Sequence, residues 1–302
     1  MSHAVLLVSG GAAVTPFTTP DLAAGSGLAA GNTMTALRSH LLAQGRTVFT
    51  SPARIGAGEV HEDTGWQGFA EVPQVLPAEM TVNAAGDIDA AGASLARFVA
   101  YLVQEHGVDD IDLVVHSMGG LFSRAALRCG IEQGAPLPVQ RLITLGTPWA
   151  GSLLGDFHAG AVTLADAHGD PATVALFQAT DAYAAENSQG AAEEVTRQYL
   201  TGPDGWNSRQ VGVLDTIGVT LIAGTYFHAA DEPTTVWPHD GLVQLASALA
   251  QDVPPAVLPA HSTAEFDDVH SIFIADQFDL PWEKGLTWDP AVFEVVDAAL
   301  GG

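Results

Sequence analysis

The run Ile111-Asp112-Leu113-Val114-Val115 leads straight into His116-Ser117-Met118-Gly119-Gly120. Five residues of mainly apolar, β-favouring type predict a buried strand, and the pattern that follows predicts a helix. A serine caught between the two occupies a strained turn that lifts its hydroxyl clear of the sheet, and small neighbours are needed because strand and helix approach closely there. Gly119 and Gly120 meet that demand on the C-terminal side. The new helix aims its first N–H groups at the place where negative charge would form on a carbonyl oxygen. Ser117 is therefore read as the nucleophile of a carbonyl-attacking reaction; the plainer alternative is a serine that caps a helix. Val115 stands where a G-x-S-x-G pattern has its first glycine, so bulk is added at a crowded position.

Two further segments stand in order behind the first: Thr144-Leu145-Gly146-Thr147-Pro148-Trp149-Ala150-Gly151-Ser152 and Asp240-Gly241-Leu242-Val243. Together the three resemble the bacterial lipases and esterases of the α/β-hydrolase superfamily, over residues 4–150 and 219–300. The resemblance implies a carboxylic ester hydrolase with a Ser-His-Asp triad and an acyl-enzyme, acting on a small-molecule or lipid ester. The same residues would also serve an acyltransferase, or be retained in a binding protein that has lost catalysis. In this fold the chain order is serine, acid, histidine. Asp240, in His239-Asp240-Gly241, resembles the family's acid loop; Asp231 and Asp215 are its competitors. Of eleven histidines only His261 and His270 follow Asp240. His270 resembles the lipase histidine loop more closely, whereas His261 closely follows the expected last strand. The oxyanion donors carried over by position are the N–H groups of Gly11 and Met118. Ser9 replaces the family's usual histidine, and Trp149 stands where histidine often follows Thr-Pro.

The elements that must position these residues are legible as short apolar runs alternating with helical patterns, which predicts a mostly parallel α/β sheet covered on both faces. Strands are expected at Ala4–Val8, Thr47–Thr50, Ile111–Val115, Arg141–Leu145, Val219–Ala223 and Ala256–Leu258. Helices are expected near Thr33–Ala43, Ile88–Glu105, Met118–Arg128, Leu242–Ala250 and Ala291–Leu300. Residues 51–87, rich in Gly and Pro, read as an irregular excursion. The sheet rhythm also stops over residues 155–214, where short helical patterns (Val162–Ala167, Pro171–Thr180, Ala191–Tyr199) lie between Gly, Pro and Asn breaks. The expected organisation is an α/β-hydrolase core of about six strands, residues 1–154 and 215–302, with a helical cap at 155–214. Among the aromatic residues in or beside that cap, Trp149 and Phe177 are the candidates for binding the acyl group, because ligand sites are apolar with few polar anchors.

Composition narrows the partners. Hydrophobic residues make up 47% and charged residues 15% of the chain, which suits a large buried core and excludes a disordered chain. A formal charge of −25 repels phosphate backbones and anionic headgroups, so neither nucleic-acid binding nor electrostatic membrane docking is expected. There is no run of about 20 apolar residues that could span a membrane. No basic region with a following apolar run marks a signal peptide. The expected location is thus the cytoplasm, or outside the cell after removal of an export signal. The single cysteine, Cys129, excludes an intrachain disulfide and falls on the apolar face of the expected helix. His228, Asp231, His239 and Asp240 are ligand types whose spacing matches no zinc motif, so neither metal nor cofactor is called for.

Overall fold

The computed structural model describes residues 2–11, 34–56, 58, 76–186, 191–228 and 236–301, with the side chains of 181–186 and 191–192 left out. The main sheet has six strands: β1 (Ser2–Val8), β2 (Val48–Thr50), β3 (Val108–His116), β4 (Val139–Leu145), β5 (Gly218–Gly224) and β6 (His261–Phe266). Their spatial order is β2-β1-β3-β4-β5-β6, and every pairing is parallel. The central strands are buried on both faces, which is why they read as unbroken apolar runs rather than alternating ones.

The chain leaves β1 in one direction to form β2, then returns to build β3 on the other side of β1. That reversal opens a crevice beyond the carboxyl ends of β1 and β3, the place where open α/β sheets bind ligands. The turn at Ser9-Gly10-Gly11 and the turn at Ser117 both fall there.

Helix α1 (Thr35–Ala43) packs one face of the sheet, together with a C-terminal helix described below, through Leu37, Leu41, Val292 and Val296. The other face is covered by α2 (Ile88–His106) and α3 (Gly119–Glu132). Helix α2 buries Ile88, Ala91, Leu95, Phe98, Val99 and Leu102, a stripe at helical spacing. Asp87 caps its start by accepting from Ala90 N, and Gly107 ends it at φ 63°. Gly92 lets α2 and α3 approach closely, since a Cβ there would collide with Ala125.

Segment 155–214 begins within α4 (Leu153–His158) and contains α5 (Pro171–Glu186), α6 (Ala191–Glu194) and α7 (Arg197–Thr201). Three short helices follow: α8 (Leu245–Ala248), α9 (Ile272–Gln277) and the longer α10 (Pro290–Ala299). Leu153, Val162, Leu176 and Phe177 form one apolar cluster with Phe227, Trp237, Val269 and Ile274. This segment thus lies against the loops that follow β5 and β6, at the carboxyl edge of the sheet.

Two expectations fail. The last strand is His261–Phe266, not Ala256–Leu258. Residues 254–258 instead form a hydrogen-bonded turn, with Val257 N and Leu258 N donating to Pro254 O, and the turn presses Val257 and Leu258 into the core. The true strand sits at the sheet's edge, so its side chains are mostly polar and exposed and carry no apolar run. The helix expected from Leu242 shrinks to one turn at Leu245–Ala248, because the backbone is still extended at Gln244, φ −69° and ψ 146°, and turns helical only after it. Within the irregular excursion, Ala53–Arg54 and Val82–Asn83 form a small parallel pair. Cys129 is half-buried, and Gln133 Nε2 donates to its sulfur at 3.0 Å. Among the described residues no helix is long and apolar enough to cross a membrane.

Candidate active site

Ser117 occupies the turn between β3 and α3 at φ +55°. A left-handed conformation costs a non-glycine residue about 1–2 kcal/mol, so something must hold it. Ser117 N donates to Leu145 O at 2.9 Å, and Ser117 O accepts from Thr147 Oγ1 at 2.8 Å and from Gly120 N at 3.1 Å. Three glycines supply the room. A Cβ on Gly10 would run into Ser117, one on Gly119 into the Val8 carbonyl, and one on Gly120 into Thr147. Val115 is accommodated with its side chain fully buried in the core cluster on the α2–α3 face. Gly10, from the end of a different strand, leaves room directly against Ser117.

The residue pair beside this turn is His270 and Asp240. His270 Nδ1 lies 2.7 Å from Asp240 Oδ2, and the two side chains are 4% and 0% exposed. An ionised carboxylate only accepts, so Nδ1 carries the proton and Nε2 does not. The second oxygen of Asp240 accepts from Leu242 N at 2.9 Å and Val243 N at 2.8 Å. Backbone closes the same unit, with His270 N donating to Asp240 O at 2.7 Å. Gly146, at φ +59° just after β4, forms the floor: a Cβ there would lie 2.9 Å from His270 Nδ1 and 3.0 Å from Asp240 Oδ2. The ring of His116, the residue before Ser117, lies 4.5 Å from the ring of His270. Ser117, Asp240 and His270 therefore gather around the ends of β3, β4, β5 and β6.

The competing residues lie elsewhere. His261 opens β6 beside Val219, at the amino edge, where its Nδ1 bonds to Pro259 O at 2.8 Å. Asp215 is exposed in the turn before β5. Asp231 lies outside the described residues.

Gly11 and Met118 face one another across the crevice, since a Cβ on Gly11 would stand 2.8 Å from the Met118 sulfur. Among the described residues, no acceptor meets the N–H of either. Trp149 and Phe177 have closed surroundings. Trp149 is fully buried, with the Arg124 guanidinium 4.4 Å from its ring centre. Phe177 is fully buried too, stacked on Phe157 at 4.3 Å. Neither ring presents an open face. Sequence reasoning did not single out Thr147, Gly10 or His116, although each sits inside a quoted motif or next to one. Among the described residues no group of three or more His, Cys, Asp or Glu side chains is placed to hold a metal ion.

The family model described as alpha/beta hydrolase fold matches residues 84–216. This chain has the α/β-hydrolase fold. A gene product of Listeria innocua shares that fold, with a TM-score of 0.53 at 14% identity over 99% of this chain and 94% of its own. Two solved structures with lower scores are also similar to this chain. A Bacillus licheniformis lipase in mature form has a TM-score of 0.47 at 15% identity, covering 90% of this chain and 87% of its own. A Pyrococcus furiosus esterase has a TM-score of 0.49 at 13% identity, covering 99% and 81%. No curated protein matches the chain.

Proposed function

We propose that this α/β hydrolase is a carboxylic ester hydrolase of the lipase/esterase type, with Ser117 as nucleophile, His270 as base and Asp240 as acid. The observation that carries the reading is the left-handed Ser117 beside a buried His270–Asp240 pair at 2.7 Å. A base to take the serine proton and a carboxylate to orient that base are what such a hydroxyl needs to become nucleophilic at neutral pH.

Ser117 Oγ attacks the ester carbonyl carbon and its proton passes to His270 Nε2. The Asp240 carboxylate holds the ring in the tautomer that leaves Nε2 free and stabilises the imidazolium that forms. The N–H groups of Gly11 and Met118 receive the oxyanion of the tetrahedral intermediate; their lack of acceptors within the described protein supports that role. The intermediate collapses, the alcohol leaves with the proton from His270, and the acyl group stays on Ser117. Water, deprotonated by the same imidazole, then releases the acid and restores the serine.

Segment 155–214 is read as a cap that borders the acyl side of the site, because its apolar cluster packs on the loops bearing Asp240 and His270. The test is hydrolysis of p-nitrophenyl esters from acetate to palmitate, combined with fluorophosphonate labelling. The expected result is turnover with covalent labelling at Ser117. Absence of both in well-folded protein would end the ester-hydrolase reading.

A further inference from the structure

The loop that carries Asp240 holds a second buried histidine, which the reaction scheme does not use. His239 is fully enclosed, its ring laid nearly flat on Phe227 with centroids 5.0 Å apart. Its main chain exchanges two hydrogen bonds with Phe227, at 3.0 and 3.1 Å. Gly241 N donates to His239 Nδ1 at 3.1 Å. That bond decides the tautomer: Nδ1 accepts, so the ring proton sits on Nε2, which lies 3.2 Å from Thr173 Oγ1. Thr173 is itself fully buried near the start of α5, and its N–H is held by Asp170 Oδ2 at 2.8 Å.

Burial pushes the His239 pKa down to about 4, against weak opposition from Asp240 and Asp170 and with slight help from His228. The ring is therefore neutral throughout the neutral pH range. Only the neutral form can accept at Nδ1 and donate at Nε2 together.

We propose that His239 is a positioning residue whose neutral imidazole sets the Asp240 loop and ties it to helix α5 of segment 155–214. The physical route is short. Gly241, at φ +111°, is the hinge between Asp240 and the two N–H groups of Leu242 and Val243 that clamp its carboxylate. Anchoring the Gly241 N–H to a rigid ring fixes the peptide on which both the carboxylate and its clamp depend. Because the far side of the ring holds Thr173, seating α5 and aligning the acid become one event. A displacement of α5 would reach His270 through Thr173, His239, Gly241 and Asp240 without any contact of its own. This inference rests on the reading of Asp240 and His270 as acid and base.

Four variants separate the two sides of the ring. His239→Asn keeps an acceptor near the position of Nδ1 and loses Thr173; His239→Gln reaches Thr173 and loses Gly241; His239→Leu loses both; Thr173→Val cuts only the link to α5. Each is assayed for kcat and KM on p-nitrophenyl butyrate. Each is also examined by NMR of ¹⁵N-histidine-labelled protein, for the low-field proton between His270 Nδ1 and Asp240. Misplacing a catalytic group by about 1 Å costs on the order of 100-fold, so His239→Leu should lose about that much in kcat with KM little changed. Its low-field signal should shift or vanish. His239→Asn should recover most of the loss, His239→Gln should not, and Thr173→Val should fall between. The proposal is overturned if His239→Leu keeps kcat within about threefold with the His270 signal unmoved, or if His239→Asn is as impaired as His239→Leu. If His239→Leu does not fold, the Asn, Gln and Thr173→Val comparison decides alone. Should the wild type hydrolyse no ester, the reaction reading fails. The NMR comparison still decides whether His239 positions the pair.

Discussion

His116 donates its Nε2–H to the main-chain carbonyl of His270 at 2.9 Å, from directly beside the nucleophile turn. A carbonyl only accepts, so the proton is on Nε2 and Nδ1 is bare; among the described residues it meets no partner. Burial, with the neighbouring His270, holds its pKa well below the usual histidine value. The strand that delivers Ser117 thus also fixes the backbone of His270, and serine and base share one rigid support.

Removing that donor leaves a buried carbonyl unsatisfied. His116→Ala should lose about 1–3 kcal/mol in urea unfolding, with a fall in ester turnover, while His116→Gln, which keeps an N–H donor, should recover part of both. An alanine variant with wild-type midpoint and turnover would show that this bond positions nothing.

At residue 117 stability and activity should separate. Loss of a triad nucleophile costs on the order of 10⁶ in kcat, so Ser117→Ala and Ser117→Gly should both be inactive and unlabelled by fluorophosphonate. Alanine inherits the strain of φ +55° and should leave the thermal midpoint nearly unchanged. Glycine enters that conformation freely and should gain about 1 kcal/mol. Activity above a few per cent in clean Ser117→Ala protein would remove Ser117 from the mechanism.

Phe177→Ala addresses the cap. Its aromatic character and place in the chain lead one to expect a change in acyl-chain preference with little change in stability. Its full burial on Phe157 reverses that expectation, because emptying a packed aromatic site costs about 3–5 kcal/mol. Differential scanning calorimetry should show a large drop in midpoint. A stable variant with altered chain-length preference would place Phe177 at the substrate after all.

Asp268 gives a pH dependence of definite sign. Burial and the adjacent Asp289 carboxyl push its pKa up to about 7, with Lys284 opposing. An unfolded aspartate titrates near 3.9. Between those values the folded chain holds a proton that the unfolded chain has released, so stability declines as pH rises from about 4 to about 7. Asp268→Asn should therefore raise the midpoint most at pH 8, less at pH 5, and change it little at pH 4. Equal midpoints for variant and wild type at pH 8 would refute the assignment.

The sequence by itself determined what local pattern can determine. The apolar run before Ser117, the helical spacing after it and the small residues at 119 and 120 specify a strand–turn–helix, since all three depend on near neighbours. The central strands were equally legible, being buried on both faces. Strand β6 was not, because an edge strand exposes its side chains and carries no apolar signature. Trp149 and Phe177 could be named as large apolar residues near the site. Whether they face a ligand or other protein depends on packing partners tens of residues away. The same reason governs the histidines. His261 and His270 both follow Asp240 in the chain, and no local feature measures their distance to it. Only the tertiary structure set His261 at the amino edge beside Val219 and placed His270 2.7 Å from Asp240, because loops from separate strand ends meet in space and not in sequence.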